Sequence, residues 1–213
     1  MPKLTADNLV YGYMNGAFPM AETDGSLHWY SPDPRAIIPI DSYKSPKSLR
    51  PVINQNRFAI RVNTDFEGTM RGCAEARADD DSTWISEEII KAYTDLHHLG
   101  MAHSVESYQG ERLVGGLYGV SIGAAFFGES MFHRVSDASK VAFHYLIEIL
   151  KAQQFELLDT QFMNDNVRRF GAIEIPKAKY VQLLRVALSH KSHFIDTSIS
   201  SLLKTPQQFL SEQ

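Results

Sequence analysis

The run Leu157-Leu158-Asp159-Thr160-Gln161-Phe162 sets a carboxylate and a primary amide two residues apart in an apolar stretch. In a strand, that spacing puts Asp159 and Gln161 on one face and Leu158, Thr160 and Phe162 on the other. A second carboxylate, Glu129, sits in a comparable setting between Phe126-Phe127 and Met131-Phe132. Polar groups in such surroundings need partners, because burying them unpaired is expensive. Two readings stand at this point: a hydrogen-bonded set that fixes the core, or groups that handle a substrate. Other chemistries find less support. His97, His98, His103 and Glu106 are close in sequence, but HExxH is absent and the helix predicted there ends between them, so no metal is expected. Gly128-Glu129-Ser130-Met131-Phe132 starts like a nucleophile elbow and fails at its fifth position, where Phe replaces Gly. Gly115, Gly116, Gly119 and Gly123 spell neither GxGxxG nor a P-loop.

The elements that must position these residues are legible in outline. Residues 1–62 are rich in Gly and Pro and read as short strands and loops, with a small helix near Asp7 to Asn15. Ser86 caps a predicted helix that stops at Gly100, with Ile89, Ile90, Tyr93 and Leu96 at helical spacing. His103 to Tyr108 and Arg112 to Val120 are predicted strands joined at Gln109-Gly110, and Ile122 to Phe132 is a third. Asp137 is predicted to cap a long helix reaching about Gln153, followed by a strand at Glu156 to Phe162. A short helix from Asn164 to Gly171, a strand at Ala172 to Ile175 and a helix from Pro176 to about Leu188 complete the pattern. The tail after His190 is polar and is predicted to be loose or draped over the surface. The fold class is α+β with a mainly antiparallel sheet in residues 63–190.

Composition narrows the partners. The 213 residues are 44% hydrophobic and 22% charged, as in folded globular chains, which excludes disordered and fibrous classes. A single cysteine, Cys73, excludes an internal disulfide and suits a reducing compartment. No secretory leader is legible, and the longest weakly polar run, Val114 to Gly128, is short for a bilayer and broken by glycines, so a cytoplasmic protein without a membrane partner is expected. The net charge of −4 argues against an indiscriminate nucleic-acid coat, yet Lys44, Lys47, Arg50, Arg57 and Arg61 share a stretch without an acidic residue. That stretch is either a solvated face or a local phosphate-binding surface. Opposite charge gathers at Asp79, Asp80, Asp81, Glu87 and Glu88.

Seven segments then occur in order: HWYSPDPR at 28–35, TWI at 83–85, AHSVES at 102–107, LVGGLYGVSIG at 113–123, FFGESMF at 126–132, DASK at 137–140 and LLDTQFMND at 157–165. Together they closely resemble the leucyl/phenylalanyl-tRNA–protein transferase family, across residues 5–185. The resemblance implies a cytoplasmic bacterial aminoacyltransferase. Such enzymes move Leu or Phe, less often Met, from aminoacyl-tRNA (Leu-tRNA, Phe-tRNA) to the α-amino group of proteins beginning with Arg or Lys, marking them for N-degron proteolysis. It implies no cofactor and no metal. The fold implied is a small N-terminal α/β domain, residues 1–62, beside an acetyltransferase-like (GNAT) domain, residues 63–190, with a polar tail at 191–213.

Site residues follow by the same resemblance. Asp159 and Gln161 match the pair that polarises the attacking amine, a hydrogen bond from Gln161 to Asp159 raising the amide's acceptor strength. Glu129 suits a cationic acceptor residue, since a carboxylate takes an Arg fork bidentately. Leu117, Phe126, Met131 and Leu146 line the donor side-chain pocket, and a flexible methionine there lets one cavity admit both Leu and Phe. Trp29 and Trp84 match aromatics near the terminal adenosine. Lys44, Lys47, Arg50, Arg57 and Arg61, joined by Arg35, hold phosphates of the acceptor stem without reading sequence. Two alternatives remain open: an acetyl-CoA-dependent N-acetyltransferase on the same fold, and a non-catalytic module binding charged tRNA or N-degrons.

Overall fold

A computed structural model describes residues 4–22, 24–75 and 83–195. The first helix, α1 (Ala6–Met14), starts where Thr5 accepts a hydrogen bond from the Asn8 N–H at 3.2 Å, satisfying one of the free donors at a helix start. It leads into a hairpin of β1 (Phe18–Ala21) and β2 (Leu27–Tyr30). After β3 (Arg35–Ile38) come α2 (Arg50–Asn54), β4 (Ala59–Val62), α3 (Phe66–Glu75) and α4 (Glu87–His98). Ser86 caps α4 through the Ile89 N–H, as its position in the sequence predicts. A meander follows, β5 (Ala102–Gln109), β6 (Arg112–Ile122) and β7 (Ala125–His133), turning at Gln109-Gly110. The chain ends in α5 (Ala138–Ala152), β8 (Leu157–Gln161), α6 (Asp165–Arg169), β9 (Ile173–Ile175) and α7 (Lys177–Ser189).

Seven strands form one mixed sheet in the order β4-β5-β6-β7-β8-β3-β9. The β7–β8 pair is parallel and the other pairs are antiparallel, which matches the mainly antiparallel sheet expected. A parallel pair needs a long crossover, and α5 supplies it. Helices cover both faces. Leu9 and Tyr13 of α1, Phe66 and Met70 of α3, the apolar face of α4, and Tyr180 and Leu184 of α7 pack with Phe127 and Phe132 on one side. On the other, α5 packs Val141, Leu146 and Leu150 against Val105, Phe126 and Leu158. Burying two faces explains why β6 and β7 read as nearly continuous apolar runs with small residues between them. Among the described residues no helix is long and apolar enough to cross a membrane.

Three expectations meet a different outcome. The sheet expected in residues 63–190 is also joined by strands β3 and β4, which lie within residues 1–62. Asp137 does precede α5, but its backbone is left-handed at φ 70° and its carboxylate accepts from Lys140 at 2.7 Å instead of capping the helix. The tail carries an anchor: Phe194 is buried and stacks on His103 and Phe126, at 4.4 and 5.1 Å between ring centres. A lone aromatic in a polar segment has no periodicity, so pattern reading misses it. Residues 196–213 of the tail, and the acidic run at Asp79, Asp80 and Asp81, lie outside the described residues.

Candidate active site

Two interruptions of regular pairing build the site. Between β6 and β7, Tyr118 faces Ser130 and Gly119 faces Gly128, leaving Glu129 as the extra residue of a bulge. Gly119 permits the close approach, because a Cβ there would lie 2.4 Å from the Phe127 carbonyl oxygen. Between β3 and β8, Ala36 faces Gln161 and Ile37 faces Asp159, so Thr160 is the extra residue. The parallel β7–β8 ladder stops at Phe127 and Asp159, two residues before Glu129 and one before Thr160. Bulges bend strands and re-aim side chains. Here a cavity of about 210 Å³ opens where the ladder ends. Leu117, Met131, Phe143, Leu146, Leu158 and Phe170 line its apolar part, and Trp84, Glu129, Ser130, Gln161 and Asn164 are among its other lining residues.

Glu129 is buried, and its partners are neutral. Tyr13 donates its hydroxyl hydrogen to Glu129 Oε1 at 2.6 Å, Gln161 Nε2 donates to the same oxygen at 2.9 Å, and the Tyr93 hydroxyl is 3.3 Å from Oε2. The two tyrosine hydroxyls also contact each other. Burial pushes the Glu129 carboxyl up to about 7, against the downward pull of Tyr13, Gln161 and Tyr93. Burial and the neighbouring carboxylate raise both phenols, so they remain donors at neutral pH.

Asp159 is buried beneath this site and has a charged partner. Arg35 Nε donates to Oδ1 at 2.9 Å and Nη2 to Oδ2 at 2.6 Å, a fork that matches the carboxylate. The Tyr180 hydroxyl donates to Oδ2 at 2.7 Å, and the backbone N–H of Gln161 donates to Oδ1 at 2.9 Å. Arg35 in turn donates through Nη1 to the Gly16 carbonyl and lies over the rings of Phe18 and Tyr180. Gln161 itself has φ 67°, left-handed for a residue with a β-carbon.

The residues expected from sequence are only partly brought together. Gln161 and Glu129 meet at the cavity, whereas Asp159 is absent from its lining. The Gln161 side chain bonds to Glu129, and only its backbone bonds to Asp159, so the expected amide–carboxylate link is replaced. Leu117, Met131 and Leu146 line the cavity, but Phe126 does not, because Phe155 and Phe194 pack around its ring. Trp84 lines the cavity; Trp29 is exposed on β2, outside that lining, and packs over Gly12 of α1. Arg35 is 1% exposed and paired with Asp159, which removes it from any phosphate-binding surface. Lys44, Lys47, Arg50 and Arg57 are exposed, while Arg61 pairs with Glu111 at 2.9 Å over the Tyr108 ring. Among the described residues no three His, Cys, Asp or Glu side chains gather as metal ligands.

Sequence reasoning missed Tyr13, Tyr180 and the true partner of Asp159, and it placed Tyr93 only as a core residue. One signal was available: Arg35 opens the apolar run Arg35-Ala36-Ile37-Ile38, and a cation at the head of a buried strand needs a buried anion.

The geometry joins an apolar chamber to an anionic acceptor held by neutral donors. Comparisons with known proteins agree with one another. A family model described as Leucyl/phenylalanyl-tRNA protein transferase matches residues 37–185, and one for that family's N-terminal domain matches residues 3–33. A curated leucyl/phenylalanyl-tRNA–protein transferase of Gloeobacter violaceus is 53% identical, covering 87% of this chain and 95% of that one. Its counterpart in Chlorobium limicola is 48% identical over 88% of this chain and 97% of the relative. Among solved structures, L-PGS from Bacillus licheniformis aligns at TM-score 0.40 and 13% identity, over 78% of this chain and 56% of that one, a likeness too distant to bear on the fold. With family models covering both parts of the sequence and relatives matched over nearly their full length, this chain belongs to the leucyl/phenylalanyl-tRNA–protein transferase family.

Proposed function

We propose that the protein transfers Leu or Phe, less often Met, from aminoacyl-tRNA to the N-terminal α-amino group of cytoplasmic proteins that begin with Arg or Lys, marking them for proteolysis. The observation that carries this reading is a cavity that combines an apolar chamber with Glu129 and Gln161. An uncharged donor side chain suits the chamber, and an acceptor cation suits a carboxylate that now has only neutral partners. The parallel β7–β8 pair with its helical crossover, inside an otherwise antiparallel sheet, supports the acetyltransferase-like (GNAT) topology.

The chemistry needs little beyond positioning. The aminoacyl ester is already activated, and an α-amino group with a pKa of about 8 is partly neutral at physiological pH. The neutral amine nitrogen attacks the ester carbonyl carbon, the C–N bond forms, and the ester C–O bond breaks. The amine gives up a proton and the departing ribose oxygen gains one. The Gln161 carbonyl oxygen accepts a hydrogen bond from the attacking amine and so orients its lone pair. Trp84 at the cavity and the exposed Trp29 on β2 are the aromatics assigned to the terminal adenosine, where stacking is the contact that aromatics supply. Lys44, Lys47, Arg50 and Arg57 offer phosphate contacts that read no sequence.

The deciding measurement is transfer of labelled leucine from Leu-tRNA to a protein beginning with Arg, beside Ile-tRNA and a Gln161→Asn variant. Label on the Arg-initiated protein alone, absent with Ile-tRNA and reduced in the variant, is the expected result. No label from folded protein and intact charged tRNA would sink the reading.

A further inference from the structure

Gln161 holds a left-handed backbone at the end of β8, a conformation that strains a residue with a β-carbon and persists only where its surroundings impose it. The imposing contact is visible. The Gln161 N–H donates to Asp159 Oδ1 at 2.9 Å, closing a tight loop around the extra residue Thr160. With the backbone turned this way, the side chain crosses to Glu129 Oε1. Asp159 cannot swing away, because Arg35 grips both of its oxygens and Tyr180 donates to Oδ2. All three side chains are essentially sealed from solvent. Arg35 is fixed from behind by the Gly16 carbonyl and by the rings of Phe18 and Tyr180. Every lone pair of Asp159 that faces a donor is therefore engaged, and the carboxylate does not line the cavity.

We propose that Arg35 and Tyr180 are positioning residues for the transfer reaction, acting through Asp159, which serves as a clamp on the Gln161 backbone and not as a proton acceptor. The proposal rests on the reading that Gln161 handles the acceptor amine. It assigns work to two residues on β3 and α7, elements that contribute no residue to the cavity lining. Arg35 and Tyr180 touch no substrate; they determine the direction in which the Gln161 amide points.

The test is a double-mutant cycle. Tyr180→Phe and Arg35→Lys are each placed in the natural chain and in a Gln161→Asn chain, since Asn tolerates the left-handed backbone but its shorter amide falls short of Glu129. Tyr180→Phe removes one hydroxyl and keeps the ring, so the fold is retained and thermal melting confirms it. In the natural chain, kcat should fall about 10- to 100-fold with KM for the acceptor unchanged, as expected for a misaimed group. In the Gln161→Asn chain the same substitutions should add almost nothing. Equal losses in both chains, or no loss in either, overturn the proposal. Amide hydrogen exchange provides a reading independent of turnover: Arg35→Lys should speed exchange at the Gln161 N–H, and an unchanged rate overturns the clamp. Absence of transfer by the unsubstituted chain overturns the transferase reading and the positioning role together, a result separate from failed coupling.

Discussion

Two buried carboxylates lie on neighbouring strands of this sheet and are provided for in opposite ways. Asp159 on β8 is matched by a guanidinium, a phenol and a backbone N–H, so its charge is compensated within the protein. Glu129 on β7 has two phenols and an amide, all neutral, and it lines the cavity. Both are almost fully buried, so burial does not distinguish them. The charge of the partners does. Asp159 has its counterion within the protein, whereas Glu129 is held by neutral donors at a cavity wall, and burial raises its proton affinity.

Breaking the compensated centre should give the largest effect. Asp159→Ala leaves the Arg35 guanidinium buried without its carboxylate, a change that costs about 3–5 kcal/mol of folding stability, measurable by urea unfolding. The uncompensated centre should answer with the other sign. Burial raises the Glu129 carboxyl from 4.5 to about 7, so the folded state binds more protons than the unfolded state in that window. Its contribution to stability is complete below 4.5 and is lost as pH rises through about 7. Glu129→Gln should flatten that slope in pH-dependent thermal melting. In transfer assays the same variant should lose ~2 kcal/mol or more of binding to an Arg-initiated acceptor. The natural chain's KM for that acceptor should fall as Glu129 ionises across about pH 7. The smallest effect sharpens the contrast within the Glu129 network. Tyr93→Phe removes one neutral donor at a cost of about 1 kcal/mol and should move that pH midpoint upward, read from the acceptor KM profile.

Much of the sheet was legible because its signals are local. The apolar runs of β5 to β8, the Gln109-Gly110 turn and the Ser86 cap each reside within a few adjacent residues. The bulges were not legible. A single extra residue, Glu129 or Thr160, becomes visible only against the partner strand, and it changes which face every later side chain takes. The bulge thus brings Met131 to the α5 face that Phe126 also takes, and only Met131 lines the cavity, because Phe155 and Phe194 enclose the Phe126 ring. Arg35 shows the same limit. Its basic neighbours in sequence suggested a surface role, whereas a strand placed between β8 and β9 made it the counterion of a residue 124 positions away.

By itself the sequence determined the fold class, the order of elements from α4 onward, the polar residues Glu129, Asp159 and Gln161 as the chemical candidates, and the family resemblance that the comparisons bear out. Those properties depend on residue type and short-range spacing. Tertiary structure alone decided which carboxylate is compensated and which remains open to a cation, because that depends on Arg35, Tyr180, Tyr13 and Tyr93 arriving from distant elements. The physical reason is that a charge buried in low dielectric is governed by groups within hydrogen-bond reach, and sequence separation does not measure that distance.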